Sequence, residues 1–267
     1  MSIFNQHEPK QHERFRGEHP IVVEGLKTAF GDHVVHENLS LKVNRGEIIG
    51  VVGGSGTGKS VLMRAIIGLQ STAAGEIEVL GNSITRAGLD EDIGVRCRWG
   101  VLFQGGALFS SMTVGENVML PLFEHTELDR KTMEIMARMK LEVVELGGFE
   151  TLMPSELSGG MIKRAAFARA IVMDPKILFC DEPSAGLDPV VASQLDDLIL
   201  LLREALGMTV VVVTHELESA FKIADRITVL DRGEILFIGT PDELRADPSQ
   251  RIQNLLNRVA EDDNMDA

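Results

Sequence analysis

An α/β fold built on a parallel sheet is predicted by three observations. Short apolar runs rich in β-branched residues alternate with helix-length segments. One such run is followed at once by a glycine loop and a helix, and another ends in two adjacent carboxylates.

Taken in chain order, residues 1–18 are charged and are expected to form a mobile tail. Strand-like and helix-like segments begin at Ile21, with no internal repeat. Glu47-Ile48-Ile49-Gly50-Val51-Val52 is the kind of run that buries both faces in a parallel sheet. After the glycine loop, SVLMRAIIGL places Val61, Leu62, Ala65, Ile66 and Leu69 at helical spacing. The first part of the core therefore spans 20–104.

Past Gln104 the character changes. Residues 105–157 hold few strand signals and one long helical stretch, 129–146, with Gly147-Gly148 expected as its C-cap. This predicts a mostly helical subdomain, 105–160, inserted into the sheet core. Its Met133, Met136 and Met139 read as packing residues. Alternation resumes over 161–245, with a strand at 177–180, a helix at 190–206 and a strand at 209–213. ITVL-DRG-EILFIG then reads as a hairpin, Gly233 supplying the positive φ of its turn. Residues 246–267 should hold a helix over 248–259 and the acidic tail EDDNMDA.

Charge narrows the function classes. Forty acidic residues against 26 basic ones give a net charge of −14. That argues against a nucleic-acid-binding face and against adsorption to anionic lipid, so membrane work would pass through a protein partner. No run approaches the ~20 apolar residues that span a bilayer. The polar start MSIFNQHEPKQ lacks the apolar segment of a secretory signal. Cys97 and Cys180 form no disulfide-like pattern and read as two buried thiols in a reducing cytoplasm.

Gly53-Gly54-Ser55-Gly56-Thr57-Gly58-Lys59-Ser60 fits G-x-x-x-x-G-K-[ST] in full, between a strand and a helix. Glycines let successive main-chain N–H groups converge on phosphate at a helix N-terminus. Lys59 would reach the terminal phosphates and Ser60 would ligate Mg²⁺. The strand ending in Asp181-Glu182 supplies a Mg²⁺ carboxylate in Asp181, while Glu182 would polarise the attacking water. His215 and Gln104 each follow a strand, where parallel sheets gather ligands. His215 would approach the γ-phosphate, and Gln104 would touch Mg²⁺ or that phosphate. A second glycine opening, Ser158-Gly159-Gly160, begins a helix over 161–173 and offers another anion site, with Lys163 and Arg164 adding positive charge.

With Leu157-Ser158-Gly159-Gly160-Met161 and Ser184-Ala185-Gly186-Leu187-Asp188, these motifs resemble the nucleotide-binding subunits of ATP-binding cassette (ABC) transporters over about residues 20–245. The resemblance implies a P-loop NTPase (RecA-like) core, an antiparallel β subdomain and the helical insert. It implies ATP and Mg²⁺, with Phe30 stacking on adenine where most relatives have tyrosine; this chain has none. It further implies that two chains meet head to tail. Each ATP then lies between Lys59 of one and Ser158-Gly159-Gly160 of the other, with Asp188 at the same interface.

Met161 stands where many relatives carry glutamine. Together with LMPSELSGGM, FQGGALF and ADPSQRIQNLL, it resembles the subgroup serving phospholipid transport between bacterial membranes, the Mla (maintenance of lipid asymmetry) group. That subgroup implies a homodimer on the cytoplasmic face of the inner membrane, beneath two copies of a multi-spanning permease. A periplasmic lipid-binding protein of the MCE type and a small cytoplasmic accessory subunit would complete the complex, with no nucleic acid. The rival readings are a cassette ATPase serving an amino acid, metal chelate or drug, and a soluble non-transport cassette. The latter usually fuses two cassettes or carries a long coiled coil. A P-loop kinase would lack Ser158-Gly159-Gly160.

Overall fold

The computed structural model describes residues 17–84, 94 and 97–257. The expected N-terminal tail up to residue 16, the acidic tail and the last two residues of the expected C-terminal helix lie outside them.

Two sheets organise the described residues. β1 (Ile21–Phe30), β2 (His33–Val43), β4 (Ala74–Val79) and β5 (Asn82–Ser83) form an antiparallel sheet in the order β2-β1-β4-β5. β3 (Ile48–Val52), β6 (Trp99–Leu102), β7 (Ile177–Asp181), β8 (Thr209–Thr214), β9 (Arg226–Asp231) and β10 (Glu234–Gly239) form the second, in the order β10-β9-β3-β8-β7-β6. All its pairings are parallel except β9–β10, the predicted hairpin.

The parallel strands divide their side chains between two cores, as a period of two requires. In β8, Val210 and Val212 enter one apolar cluster and Val211 and Val213 the other. In β7, Leu178 and Cys180 oppose Ile177 and Phe179 in the same way. The first core is closed by α2 (Val114–His125), α3 (Arg130–Val143), α4 (Gly159–Ile171) and α5 (Pro189–Leu206). The second is closed by the antiparallel sheet and α1 (Lys59–Ile66). Shorter helices α6 (Leu217–Ile223), α7 (Pro241–Ala246) and α8 (Gln250–Leu256) pack over β9 and β10.

Several local expectations need correction. The insert holds two helices before α4, because α2 also forms. Its sequence carries Gly115 and Pro121, both usually breakers. Thr113 and Glu116 close a capping box that starts it, and Gly115 permits close approach to the Glu150 carbonyl, 3.1 Å from where its Cβ would lie. The long helix ends at Val143, and its exit turns through left-handed Glu145 rather than through Gly147-Gly148. Met133 is buried and Met136 packs partly on the core, but Met139 faces solvent. Leu69 lies beyond α1 and is exposed, and Cys97 is only half buried, whereas Cys180 is fully so.

One buried polar contact ties β1 to β2 within the antiparallel sheet. His36 of β2 is fully buried, and its Nδ1 shares a 2.7 Å hydrogen bond with the register partner Thr28 Oγ1. Its Nε2 would lie 2.6 Å from a Cβ at Gly58, so that position admits no side chain. Burial lowers the His36 pKa to about 4, below the ordinary 6.5. The neutral ring therefore stabilises the fold fully above the unfolded value, and that stability is lost as pH falls from 6.5 toward 4. Between pH 7.5 and 5 the loss is about 2 kcal/mol. Urea unfolding of the wild type and His36→Leu at both pH values checks this: the variant should lack that increment, and an identical pH dependence would remove His36 as its source.

Candidate nucleotide-binding and hydrolysis site

The phosphate loop leaves β3 in mid-sheet and enters α1. Gly53 is needed there because a Cβ would stand 2.1 Å from the Leu230 carbonyl oxygen. The helices α2, α3, α4 and α5 are each capped by a side chain, from Thr113, Asp129, Ser158 and Asp188. Helix α1 has left-handed Gly58 as its N-cap and no side-chain cap. Its first-turn N–H groups are thus left for an anion, with the positive end of the helix dipole behind them. Lys59 lies buried across its own loop, its Nζ donating to the carbonyls of Gly53 at 2.9 Å and Gly54 at 2.7 Å. Desolvation lowers its pKa, while Glu182 and Asp181 oppose the shift.

Parallel pairing brings the ends of β6, β7 and β8 alongside. Asp181 closes β7, and its Oδ1 accepts from Ser60 Oγ at 2.9 Å. Burial raises the Asp181 pKa; the Ser60 bond, Arg64 and Lys59 work against that rise. Glu182 takes a left-handed backbone, φ +49°, and its N–H donates to Val213 O at 2.8 Å. The Glu182 Oε2 accepts from His215 Nδ1 at 2.8 Å and from the His215 main-chain N–H at 3.4 Å. On the other side of the ring, Glu216 Oε1 lies 3.2 Å from Nε2. The imidazole is thereby held between two carboxylates at the strand ends.

These groups converge on a cavity of about 620 Å³. Phe30, Ser55, Gly56, Thr57, Gly58, Lys59, Ser60, Gln104, Glu182 and His215 all line it, while Asp181 stands behind Ser60. Phe30 is 52% exposed, so its ring face is open to a planar partner. His33 and Val35 of β2 also line the cavity. Sequence reasoning missed both, since nothing in an antiparallel strand says which distant loop it will lean on.

The second glycine pair is placed elsewhere. Ser158 caps α4, its Oγ accepting from Met161 N–H at 3.3 Å, and both Ser158 and Gly159 are exposed. A hydroxyl that accepts within its own helix still has its proton to donate outward. A Cβ on Gly160 would stand 2.8 Å from Val191 Cγ1, so the opening packs against the start of α5. There Asp188 accepts from the N–H groups of Val190 and Val191, both at 3.1 Å. Ser158, Gly159, Gly160 and Asp188 do not line the cavity of their own chain. Nor do Lys163 and Arg164 add charge at this opening. Lys163 is buried and turned inward, and Arg164 is paired with Glu145 Oε2 at 2.7 Å.

Comparison with known proteins identifies the family. A family profile described as "ABC transporter" matches residues 36–185. The chain is 41% identical over 236 residues to the intermembrane phospholipid transport system ATP-binding protein MlaF of Haemophilus influenzae, covering 88% of this chain and 89% of that one. It is 42% identical over 231 residues to the same-named protein of Escherichia coli K12, covering 86% of each. A probable ribonucleotide transport ATP-binding protein of Mycobacterium tuberculosis is 38% identical over 237 residues, 89% of this chain and 66% of that one. Among solved structures, a dimeric ATP-binding cassette in a post-hydrolysis state with ADP and Pi superposes with TM-score 0.76 at 29% identity, covering 83% of this chain and 98% of that one. The cassette of a Clostridium perfringens transporter complex gives TM-score 0.79 at 27% identity, covering 91% and 98%. A profile match over more than half the chain, joined to relatives this similar over most of its length, settles membership: the chain belongs to the ABC transporter family.

Proposed function

We propose that this chain is the ATP-hydrolysing subunit of an Mla-type transporter that moves phospholipids between the inner and outer membranes. It works as a homodimer, peripheral to the cytoplasmic face of the inner membrane through the permease. One observation carries the dimeric mechanism: a single chain presents Lys59, Ser60, Gln104, Glu182 and His215 on one cavity, and an exposed Ser158, the cap of α4, outside it. The identity to the two phospholipid-system proteins supports the choice of cargo.

The residues present fit a nucleotide with a divalent cation. The uncapped start of α1 and the buried Lys59 suit phosphate, and Phe30 suits an adenine face. Ser60, Gln104 and Asp181 are hard oxygen donors of the kind Mg²⁺ takes. When bound, Mg²⁺ supplies neutralisation of phosphate charge. Glu182 orients a water and accepts its proton, held in place by its unusual backbone and by His215. His215 lies in the cavity wall beside Glu182, in position to approach the γ-phosphate. Ser158, Gly159 and Gly160 of a second copy donate to that same phosphate, so ATP closes the pair and hydrolysis releases it.

The insert carries a groove for the permease. Ser111, Met112, Met119, Phe123 and Met133 line a depression of about 490 Å³, with Phe123 69% exposed beside it. Because the Gln104 turn leads directly into this subdomain, closure at the phosphates shifts the groove and with it the permease. In the assembled complex, photo-crosslinkers placed across 105–125 should capture a cytoplasmic permease loop; none captured would overturn this route. The MCE-type protein and the accessory subunit complete the proposed assembly. Mass spectrometry of the native complex tests the whole reading: a permease and phospholipid should co-purify, and a different cargo with different subunits would replace it.

A further inference from the structure

Helix α4 does more than present Ser158. Five residues after that serine, Lys163 is turned inward and is only 5% exposed. Its Nζ donates to the main-chain carbonyl of Gln104, and to that of Glu182 at 3.2 Å. Those two residues follow β6 and β7, and both line the cavity. A buried ammonium is costly unless its protons are taken up, and here two main-chain carbonyls take two of the three. The neighbouring contacts point the same way. The Arg169 guanidinium, further along α4, donates to the carbonyls of Ala107 at 2.7 Å and Gly106 at 2.8 Å. Ile162 packs so closely on Gly106 that a Cβ there would meet it at 2.9 Å.

We propose that Lys163 is a positioning residue that ties α4 simultaneously to the Gln104 turn and to the main chain of Glu182. The carbonyl of Glu182 is otherwise bonded by the Ala185 N–H at 3.2 Å, and its left-handed backbone is of the kind that persists only under restraint. Removing the ammonium frees the Gln104 turn and the catalytic carboxylate together, from one atom. The consequence is mechanical. A displacement of Ser158, the group that meets the other chain's ATP, is passed through less than two turns of helix to the groups acting on this chain's own ATP. The inference rests on the assignment of Gln104 and Glu182 to the hydrolytic site.

The test compares Lys163→Met, which keeps the aliphatic stem and loses the charge, with Lys163→Arg, whose guanidinium can serve two carbonyls. Hydrogen exchange on the nucleotide-free protein is the first readout. Lys163→Met should speed exchange at least tenfold at residues 103–106 and 182–185 while leaving the β3 strand at the wild-type rate; Lys163→Arg should leave all three segments at that rate. Steady-state ATPase is the second. Lys163→Met should lose at least tenfold in kcat with KM for ATP within twofold, and Lys163→Arg should recover kcat to within threefold. Equal kcat in Lys163→Met and wild type overturns the proposal, as does faster exchange spread evenly over the sheet or a failure of both variants to fold. Glu182→Gln run alongside separates the two claims: if it still hydrolyses ATP the site assignment fails, and if it is inert while Lys163→Met is normal only the positioning role fails.

Discussion

Glu182→Gln should lower ATP turnover by about 10²–10⁴-fold while leaving ATP affinity nearly unchanged. The reason is geometric and chemical together. Glutamine keeps the shape of glutamate and an oxygen that can accept from His215 Nδ1, now 2.8 Å from Glu182 Oε2. It keeps the backbone bond from its N–H to Val213 O as well. What it loses is the ability to take a proton from water, so ground-state binding through Lys59 and the first turn of α1 survives. Phosphate release at saturating ATP measures the loss, and titration with a fluorescent ATP analogue measures the binding. Turnover within threefold of wild type would take Glu182 out of the catalytic role.

Ser158→Arg should abolish ATP-driven pairing and cut turnover about 100-fold or more, for a different reason. The serine hydroxyl occupies an exposed helix opening where a partner's phosphate would sit, and an arginine side chain fills that space. Loss of the cap itself costs about 1 kcal/mol, which Ser158→Ala reports separately. Light scattering with ATP in a Glu182→Gln background makes the comparison. The protein with Ser158 intact should be a dimer and the Ser158→Arg variant a monomer, while both bind ATP at the Lys59 side. A dimer that still forms on ATP with the arginine present would refute a shared site.

The parts of this molecule legible in the sequence are those fixed by short-range chemistry. The loop from Gly53 to Ser60, the apolar strands β3, β7 and β8, and the cap at Ser158 follow from neighbours a few residues apart. Helix α2 is obscured because Gly115 and Pro121 signal a break. Its buried Asn117 offsets this by accepting from Phe109 N–H and directing the two protons of its Nδ2 at a cluster of three carbonyls, those of Phe109, Met112 and Thr113. Lys163 misleads for the same kind of reason. A lysine near a helix opening suggests a surface cation, and only the fold shows two carbonyls, 59 and 19 residues away in sequence, waiting beneath it. His33 and Val35 reach the cavity by a sheet-on-sheet contact that no local pattern encodes.

The left-handed backbone at Glu182 has a bearing on how the protein could be engineered. A non-glycine residue held at φ +49° carries a conformational penalty of about 1 kcal/mol or more, set against the rest of the fold. Selection for heat resistance alone would therefore favour asparagine or glycine at that position, residues that tolerate the conformation. Such a screen would enrich hardier proteins that no longer turn over ATP. Thermostability and turnover pull in opposite directions at this one peptide unit, so any stabilising library should leave position 182 fixed.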